Sequence, residues 1–344
     1  MKKNPVTSRD VAELAGVSQS AVSRCFSTNA SISDKTREKV LEAARKLGYR
    51  PNSIARSLIT RSSRIIAVVS PPLDNPFYSR VIDRASRLMQ KEGYRLLLFL
   101  VEDDGESEGV MSEILQSQAD GILMLSASLS TSFAEECVGR SIPVVMINRV
   151  VDYEGVSQVS SDNYHGGYWV GSFLASSGHD RIAFISGIPA SSTSEYRRKG
   201  FCDALAAFGK QCWAVERGDY LFDTAKEATR RLFAGVPYPD AIFAANDHMA
   251  IAVIETLRSE LGLRVPEDVS VVGFDDMPIS SWPSYQLTTV RQPLDSMVAE
   301  ATTLLLQQIQ EGQVSAVQKT LPVVPILRES ARRPDLMNQQ PATR

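Results

Sequence analysis

A six-residue stretch near the start of the chain carries side chains that can hydrogen-bond to the edges of DNA bases. It contains the amide of Gln19, the hydroxyls of Ser20 and Ser23 and the guanidinium of Arg24. At the 3.6-residue period of a helix, these side chains share one polar face. The stretch therefore predicts a recognition helix of a size that fits the major groove.

Capping residues on both sides of a glycine predict that this helix is preceded by another short helix. Thr7 with Asp10 three residues later fits a capping box, and Ser18 is a typical N-cap for the second helix. Gly16 stands where the turn needs a permissive backbone. Residues 7–24 thus predict a helix-turn-helix, and an ordinary hairpin of two helices is the alternative. The apolar contacts between the helices are expected from Val11, Leu14, Ala15 and Val22.

A third capped helix and a positive charge favour the helix-turn-helix. The pattern predicts this helix over 33–47, with Ser33 as its N-cap and Gly48 as its stop. Residues 1–64 hold 13 of the chain's 37 Lys and Arg but only 5 of its 40 Asp and Glu, and the whole chain has a net charge of −3. A basic head on an acidic body is typical of a module that meets phosphate groups. We therefore predict sequence-specific binding to double-stranded DNA.

From residue 65 onward, short apolar runs alternate with helical patterns. Continuous apolar runs separated by helices are typical of parallel strands that are covered on both faces. Their number is too large for one sheet to be the simplest arrangement, so we expect two doubly wound sheets side by side. The runs lie at 65–69, 95–100, 121–125, 143–147, 181–185, 241–244 and 269–274.

Polar or aromatic side chains follow five of these strands. In doubly wound folds a ligand binds outside the carboxyl ends of the strands, so these side chains are candidates for a binding site. Their amides, carboxylates, arginine and aromatic faces suit a sugar, a nucleoside or a similar polyol. Strand ends are often polar without a ligand role, and it is the coincidence at five strands that favours a site. The candidates are Ser70 with residues 74–78, Asn148 with Arg149, Ser186 with the loop to Arg197, Asn246 with Asp247, and Asp275 with Asp276.

Catalysis and metal binding find little support in the sequence. His165, His179 and His248 are too scattered for a catalytic triad or a metal cluster, and there is no glycine-rich phosphate loop. We therefore expect no enzyme activity, no catalytic residue, no metal and no cofactor. An enzyme is the rival hypothesis, because doubly wound folds support much chemistry. A transport binding protein without a DNA function is a second rival.

The sequence also predicts a cytoplasmic protein with no membrane partner. No run approaches the roughly 20 apolar residues of a membrane helix, and no apolar stretch of a signal peptide follows Lys2 and Lys3. The four cysteines lie far apart without CxxC spacing, as expected of free thiols in a reducing compartment.

Further short motifs are spread along essentially the whole chain. In the head they cover 10–12, 15–18, 22–24, 36–40, 47–49, 51–52 and 55–58, and in the body 75–77, 121–122, 159–163, 178–183, 197, 200–201, 245–250, 266–276 and 287–290. Together these motifs closely resemble the lactose-repressor/galactose-repressor family of bacterial transcription regulators.

The resemblance implies a dimeric, effector-gated repressor with an all-α helix-turn-helix head. Its body would be an α/β, periplasmic-binding-protein-like domain of two doubly wound parallel-sheet subdomains, with the effector in the cleft and chain crossings near residues 162, 291 and 325. The implied parts are the DNA-binding head over 1–50, a hinge helix and linker over 51–62, the effector-binding and dimerisation domain over 63–330, and a disordered tail over 331–344. The N-subdomain would comprise about 63–162 and 292–324, and the C-subdomain about 163–291 and 325–330.

The resemblance also implies roles for residues of the head. Gln19 and Ser20 match positions that read bases. Gln19 can pair with adenine and Arg24 with guanine, each contributing about 1–3 kcal/mol of discrimination. In the family, phosphates are contacted at the positions that match Thr7, Ser18, Ser23 and Ser33. Such contacts fix the register of the protein on the duplex but carry no sequence information.

Residues 51–58, which include Asn52, Ala55 and Leu58, match the hinge helix of the family. Eight residues are too few for a helix to persist alone in water, so this helix is expected to form when two copies meet on the minor groove. Leu58 matches the leucine that wedges between base pairs there. Its alternative role is that of the last core residue of the head.

For the effector, the resemblance implies a site with aromatic walls and polar contacts. Arg197 and Asp275 are its central pair, because a guanidinium and a carboxylate can hold neighbouring hydroxyls from two sides. The tandem of Asn148 and Arg149 also occurs in sugar-responsive relatives and favours a sugar or sugar derivative. The walls are assigned to Phe77 and Tyr78, and the polar contacts to Asn148, Thr193, Arg197, Tyr220, Asn246 and Asp275.

Residues 329–344 contain Pro334 and Pro341 and no leucine heptad, which argues against a tetramerising helix. A homodimer on a pseudo-palindromic operator is therefore expected. Effector binding is expected to change the angle between the subdomains, separate the hinge helices and alter the affinity for DNA. Both release and tightening occur in the family, so the sequence leaves the sign of the response open.

Overall fold

The computed structural model describes residues 6–26, 31–50, 62–101, 107–125, 131–151, 153, 155–189, 191–312 and 316–334. The chain divides into two compact units, Met1–Ser63 and Arg64–Arg344. In its described part, the first unit is helical and the second contains the parallel sheets, so the predicted fold class is confirmed. Within the described residues, no helix is long and apolar enough to cross a membrane.

Three capped helices make up the described part of the first unit: α1 (Ser8–Ala15), α2 (Gln19–Cys25) and α3 (Asp34–Leu47). Thr7 and Asp10 form the predicted capping box, with 2.8 Å from the backbone nitrogen of Thr7 to Oδ2 of Asp10. The side-chain oxygens of Ser18 and Ser33 cap α2 and α3. Gly16 ends α1 with a φ of 65°, a conformation that favours glycine.

The core of this unit joins the three helices through Val11, Val22 and Val40, which are fully buried. The prediction that Leu14 contributes to this core was wrong, because its side chain is 53% exposed. The buried arc of α1 is centred on Val11 and Ala12. At about 100° per residue, Leu14 lies about 110° around the helix from that arc and points to solvent.

The second unit begins with a parallel sheet of six strands. They are β1 (Ile65–Ser70), β2 (Arg95–Leu100), β3 (Gly121–Leu125), β4 (Val144–Ile147), β5 (Ser157–Ser161) and β11 (Gln318–Leu321), in the order β11-β5-β4-β3-β1-β2. The accompanying helices are α4 (Pro76–Lys91), α5 (Ser107–Gln116), α6 (Thr131–Gly139) and α11 (Leu294–Glu311). In β1, Ile66 and Val68 belong to one hydrophobic cluster and Ala67 and Val69 to another. Both faces of the strand are thus covered, which explains its continuous apolar run.

A second parallel sheet has four strands. They are β6 (Ile182–Ser186), β7 (Ala214–Arg217), β8 (Ala241–Ala244) and β9 (Ser270–Val272), in the order β7-β6-β8-β9. Its helices are α7 (Asn163–Ser176), α8 (Ser192–Ala207), α9 (Phe222–Leu232) and α10 (Asp247–Ser259). The rings of Phe184, Phe201 and Phe243 form the centre of its core, with centroids 5.2 to 5.8 Å apart.

The chain passes between the two sheets in three segments. The first passage leads from β5 through Asp162 to α7. The second runs through residues 292–293, between β10 (Thr289–Arg291) and α11, and the third through residues 322–323, between β11 and β12 (Val324–Ile326). Strands β10 and β12 pair with each other in antiparallel fashion. We call these passages the crossing segments. The first two are taken together with flanking residues, so the segments are 161–163, 291–293 and 322–323.

Helices α7 and α8 approach each other through glycines. A Cβ at Gly167 would stand 2.1 Å from the carbonyl oxygen of Arg197, and a Cβ at Gly200 would stand 2.0 Å from the carbonyl oxygen of Tyr164. Real Cβ atoms do not come this close to backbone oxygens, so only glycine permits the observed distance between the helices. This packing fixes the position of α8 and therefore of the side chains that α8 carries.

Candidate functional site

A small, nearly closed cavity in the second unit has a solvent-accessible volume of about 10 Å³, room for about one water molecule. It lies where strands of both sheets end, the position at which doubly wound folds bind ligands. All eight residues that the sequence analysis assigns to an effector line it, together with one further residue, Asn75. The lining residues are Asn75, Phe77, Tyr78, Asn148, Thr193, Arg197, Tyr220, Asn246 and Asp275.

The guanidinium of Arg197 is held in one orientation by the surrounding protein. The residue is only 2% exposed. Its Nε donates to Oδ1 of Asn163 over 2.7 Å, and one terminal nitrogen donates to the carbonyl oxygen of Ala245 over 2.6 Å. The guanidinium carbon also lies 3.7 Å from the centre of the Phe274 ring, which is a cation–π contact. The side chain is therefore preorganised before any ligand arrives.

Asp275 faces this guanidinium. Its Oδ1 lies 3.7 Å from a terminal nitrogen of Arg197 and accepts a hydrogen bond of 2.6 Å from Nε2 of Gln292. Burial raises the pKa of Asp275 to about 6, although Arg197 and the hydrogen bond from Gln292 both act to lower it. The positive charge of Arg197 and the donor from Gln292 both stabilise the ionised form of Asp275, which can accept a hydrogen bond from a ligand.

A second carboxylate, Asp247, lies behind the cavity and is fully buried. It accepts hydrogen bonds from the backbone nitrogen of Met277 and from the hydroxyls of Ser280 and Thr289. Burial, reinforced by the negative charge of Asp275, raises the pKa of Asp247 to about 7. Because Asp247 binds the loop after β9 and strand β10, we assign it a structural role.

Asn246 offers a hydrogen-bond donor to the cavity. Its Oδ1 accepts from the backbone nitrogen of Met249 over 2.9 Å and caps α10. Its Nδ2 is buried and has no hydrogen-bond partner among the residues that the structure describes. Leaving a buried donor unsatisfied costs about 1–3 kcal/mol, which a ligand acceptor would recover.

Aromatic rings and hydroxyls complete the wall. The rings of Phe77 and Tyr78 meet edge to face, with centroids 5.5 Å apart. The hydroxyls of Thr193 and Tyr220 share a hydrogen bond of 2.9 Å. Such a combination of apolar faces and hydroxyl groups is typical of small-molecule sites.

Three residues of the cavity lining, none of them glycine, have a positive φ in the left-handed region of backbone conformations. The φ values are 79° for Asn148, 62° for Tyr220 and 123° for Asp275. Such conformations cost of order 1–3 kcal/mol each and cluster at ligand-binding sites. Their concentration around one cavity supports a functional use for it.

Asn75 was one of the candidates at the strand ends, but it is not among the eight residues to which the family resemblance assigns an effector contact. Its Oδ1 accepts from the backbone nitrogen of Phe77 over 3.0 Å and caps α4. The signal that could have identified it is its place directly before Pro76 and Phe77, at the end of the loop after β1. Asp162, by contrast, lies outside the cavity lining and caps α7 through the backbone nitrogen of His165.

In the first unit, seven of the ten residues assigned to DNA are described, and all seven are exposed. Gln19 donates through Nε2 to the hydroxyl of Ser8 over 2.9 Å, which orients its amide. Arg37 serves to join helices, since it donates to the carbonyl oxygen of Cys25 over 3.1 Å. The seven are Thr7, Ser18, Gln19, Ser20, Ser23, Arg24 and Ser33, whereas Asn52, Ala55 and Leu58 lie outside the described residues.

The three histidines have separate protein partners in the second unit. His179 contacts Arg332 over 2.8 Å, His165 contacts Asp162 over 2.7 Å, and the ring of His248 packs against Phe222. Within the described part of the chain, no group of three or more His, Cys, Asp or Glu side chains is placed to hold a metal ion.

Comparison with known proteins identifies the family. Residues 7–52 match the lacI family of bacterial regulatory proteins, and residues 172–331 match the periplasmic binding protein-like domain. The ribose operon repressor of Bacillus subtilis is 33% identical over 96% of this chain and 99% of the relative.

Two solved structures are similar to this chain over 95% of its length. The lac repressor dimer bound to operator and the anti-inducer ONPF has a TM-score of 0.85 and 28% identity, over 95% of this chain and 99% of that one. The CelR–cellobiose complex has a TM-score of 0.72 and 31% identity, over 95% and 100%. These relatives are transcriptional regulators and not enzymes. The chain belongs to the lacI family of bacterial regulatory proteins, with a helix-turn-helix head followed by a periplasmic-binding-protein-like domain.

Proposed function

We propose that this protein is a dimeric transcriptional repressor whose affinity for a pseudo-palindromic operator changes when a neutral monosaccharide occupies the cavity. The observation that carries the proposal is the position of Arg197 opposite Asp275, 3.7 Å apart and both buried, at the wall of a small cavity. A buried guanidinium and carboxylate at the wall of a cavity have hydrogen-bonding capacity that ligand hydroxyls would satisfy.

The charge of the cavity favours a neutral ligand. Arg197 supplies one positive charge, Asp275 supplies one negative charge, and the other lining residues are uncharged. An anionic ligand would therefore meet a cation that already faces a carboxylate, and its own charge would be desolvated without compensation. Sugar phosphates and sugar acids are disfavoured on this ground.

The volume of the cavity favours a small ligand. Its solvent-accessible volume of about 10 Å³ corresponds to about one water molecule, so the walls must move apart to admit a sugar, and a small sugar requires the least movement. A monosaccharide therefore requires less opening of the walls than a disaccharide such as the cellobiose in the CelR complex. The rings of Phe77 and Tyr78 would pack on the apolar face of the sugar, and Asn246 would donate to one of its oxygens.

On DNA, we propose that α2 is the recognition helix. Gln19, Ser20 and Arg24 would read base edges from its exposed face. Phosphate contacts would come from Thr7, Ser18, Ser23 and Ser33, and contacts in the minor groove from Asn52, Ala55 and Leu58. The lac repressor dimer bound to operator, which is similar to this chain over 95% of its length, supports this arrangement.

The edge strand β2 supports dimerisation. Leu97, Leu98 and Leu100 are 39%, 38% and 48% exposed and occupy the open edge of the six-stranded sheet. An exposed apolar edge invites association, and monomeric proteins usually protect it with charges or prolines. We propose that a second copy of the chain covers this edge. The four free cysteines, Cys25, Cys137, Cys202 and Cys212, support a cytoplasmic location.

A thermal-shift experiment tests the ligand class. We expect one neutral monosaccharide from a panel of D-ribose, D-glucose, D-galactose and D-fructose to raise the melting temperature; D-ribose comes first because the ribose operon repressor is a relative. The shift should disappear in Arg197→Met and persist in Arg140→Met, which removes an exposed ion pair with Glu136. Stabilisation only by a sugar phosphate or only by cellobiose would contradict the proposed ligand.

A further inference from the structure

Two crossing segments are tied directly to the two charged residues of the cavity. Asn163, in the first crossing segment, accepts the hydrogen bond from Nε of Arg197 over 2.7 Å. Gln292, in the second, donates to Oδ1 of Asp275 over 2.6 Å. Neither amide belongs to the lining of the cavity, and both are at least 95% buried.

Ser161 closes these contacts into a ring. Its hydroxyl donates to Oε1 of Gln292 over 2.7 Å, and its carbonyl oxygen accepts from Nδ2 of Asn163 over 3.0 Å. The ring therefore runs from Ser161 through Gln292 to Asp275, across 3.7 Å to Arg197, and through Asn163 back to Ser161. Every member is buried, and two of the three crossing segments take part.

The chemistry of the partners fixes the orientation of both amides. Arg197 can only donate, so Asn163 must present its oxygen to Arg197 and its nitrogen to the carbonyl of Ser161. The ionised Asp275 can only accept, so Gln292 must present its nitrogen to Asp275 and its oxygen to Ser161. Neither amide can therefore turn over without leaving buried groups unsatisfied.

We infer that Gln292 and Asn163 are positioning residues that transmit ligand binding at Asp275 and Arg197 to the crossing segments. The inference rests on the proposed function and adds to it the regulation of the same cavity. A ligand that draws Asp275 or Arg197 toward itself must lengthen, bend or carry along the hydrogen bonds to the two amides. Because these bonds are buried and fully satisfied, the least costly response is a shift of the crossing segments, which set the angle between the sheets.

The test measures coupling and sugar binding separately in the full-length dimer. The duplex is one that the wild-type protein selects from a random library, and the probe is D-ribose or the panel sugar that stabilises the wild type. A typical coupling changes affinity about 5- to 150-fold. In Gln292→Met we expect sugar binding within about fivefold of wild type, whereas the effect of the sugar on operator affinity falls below about twofold.

A matched control comes from a second buried glutamine. Gln308 donates through Nε2 to the hydroxyl of Ser157 over 2.7 Å, and it joins α11 to β5 away from the cavity. Gln308→Met removes the same kind of bond, and we expect its operator response to the sugar to match wild type.

A second variant keeps the inference testable if Gln292→Met fails to fold. Asn163→Asp retains an acceptor for Arg197 but loses the donor to the carbonyl of Ser161. We expect it to bind the sugar and to lose the operator response. A wild-type response in a folded variant overturns the inference and leaves the proposed function intact. Joint loss of sugar binding and response in both variants also overturns it, since that pattern indicates a purely structural role. A wild-type protein that binds no panel sugar refutes the proposed function itself.

Discussion

Gly167 lies so close to the backbone of Arg197 that a Cβ atom on the glycine would stand 2.1 Å from the carbonyl oxygen of the arginine. Helices α7 and α8 therefore touch backbone to backbone at the residue that carries the only positive charge of the cavity lining. The placement of Arg197 depends on this contact as well as on its own hydrogen bonds.

Gly167→Ala is expected to push α8 away and to weaken sugar binding at least about tenfold, because ligand clamps tolerate little displacement. Overpacking should also lower the free energy of unfolding by about 1–3 kcal/mol. Calorimetric titration and urea unfolding measure the two effects. Gly235→Ala is the control, since a Cβ there meets nothing within 4 Å. Wild-type sugar affinity in Gly167→Ala would show that Arg197 is not placed by this contact.

Asn246→Ser separates capping from ligand binding. Serine is as good an N-cap as asparagine, so the melting temperature without sugar should stay close to wild type. The buried Nδ2 donor is lost, and sugar affinity should fall about 5- to 150-fold, corresponding to about 1–3 kcal/mol. Isothermal titration of both proteins gives the comparison. Equal sugar affinities would mean that Asn246 serves α10 alone.

The buried carboxylates predict a pH dependence of stability. The folded protein raises the pKa of Asp247 from 3.8 to about 7, so between about pH 4 and pH 7 it binds more protons than the unfolded chain. Proton binding by Asp247 therefore stabilises the folded protein. This stabilisation is fully present below about pH 4 and is lost as the pH rises through about 7. Asp275, with its pKa raised to about 6, acts in the same direction.

Urea unfolding across this pH range compares wild type with Asp247→Asn. The variant should lose stability less steeply between about pH 4 and pH 7. Asp240, Glu260 and Asp268 have pKa values lowered to about 2, so their contributions change below this window. Parallel curves for the two proteins would contradict the buried titration of Asp247.

In the head, Arg24→Ala and Arg9→Ala should have different signatures on DNA. Loss of a base contact costs about 1–3 kcal/mol and relaxes the preference at one base pair. Arg9 is exposed at the start of α1. If its charge meets phosphate groups, its loss should weaken binding to all sequences alike and lower the salt dependence. Binding assays on a library of single-base operator variants, at two salt concentrations, distinguish the two. If both variants lose affinity equally for all operator sequences, Arg24 contacts phosphate and not a base.

The local features of this chain could be predicted from sequence because they depend on neighbouring residues. The capped helices of the head and the apolar strands such as β1 and β3 follow from short patterns, and the strand-end rule together with the family resemblance assigned eight residues that the structure brings around one cavity. Strand β5, with the sequence SQVSS, was not foreseen because its buried side chains are mostly polar and satisfied by distant partners.

Long-range contacts could not be predicted in the same way. The ring that joins Ser161, Gln292 and Asp275 spans residues more than a hundred positions apart, and no local pattern marks its amides. The glycines of α7 look unfavourable for a helix until the backbone of α8 is placed against them. Leu14 was misassigned because helical spacing alone does not fix which arc of α1 faces the core.

Fluorescence anisotropy of a selected operator duplex, titrated with the full-length protein in the presence and absence of the stabilising monosaccharide, measures whether the sugar controls DNA binding. We predict that the sugar changes operator affinity at least about fivefold in the wild type and leaves it unchanged in Arg197→Met. Operator affinity that does not depend on the sugar, in a wild-type protein shown to bind it, would refute the proposed function.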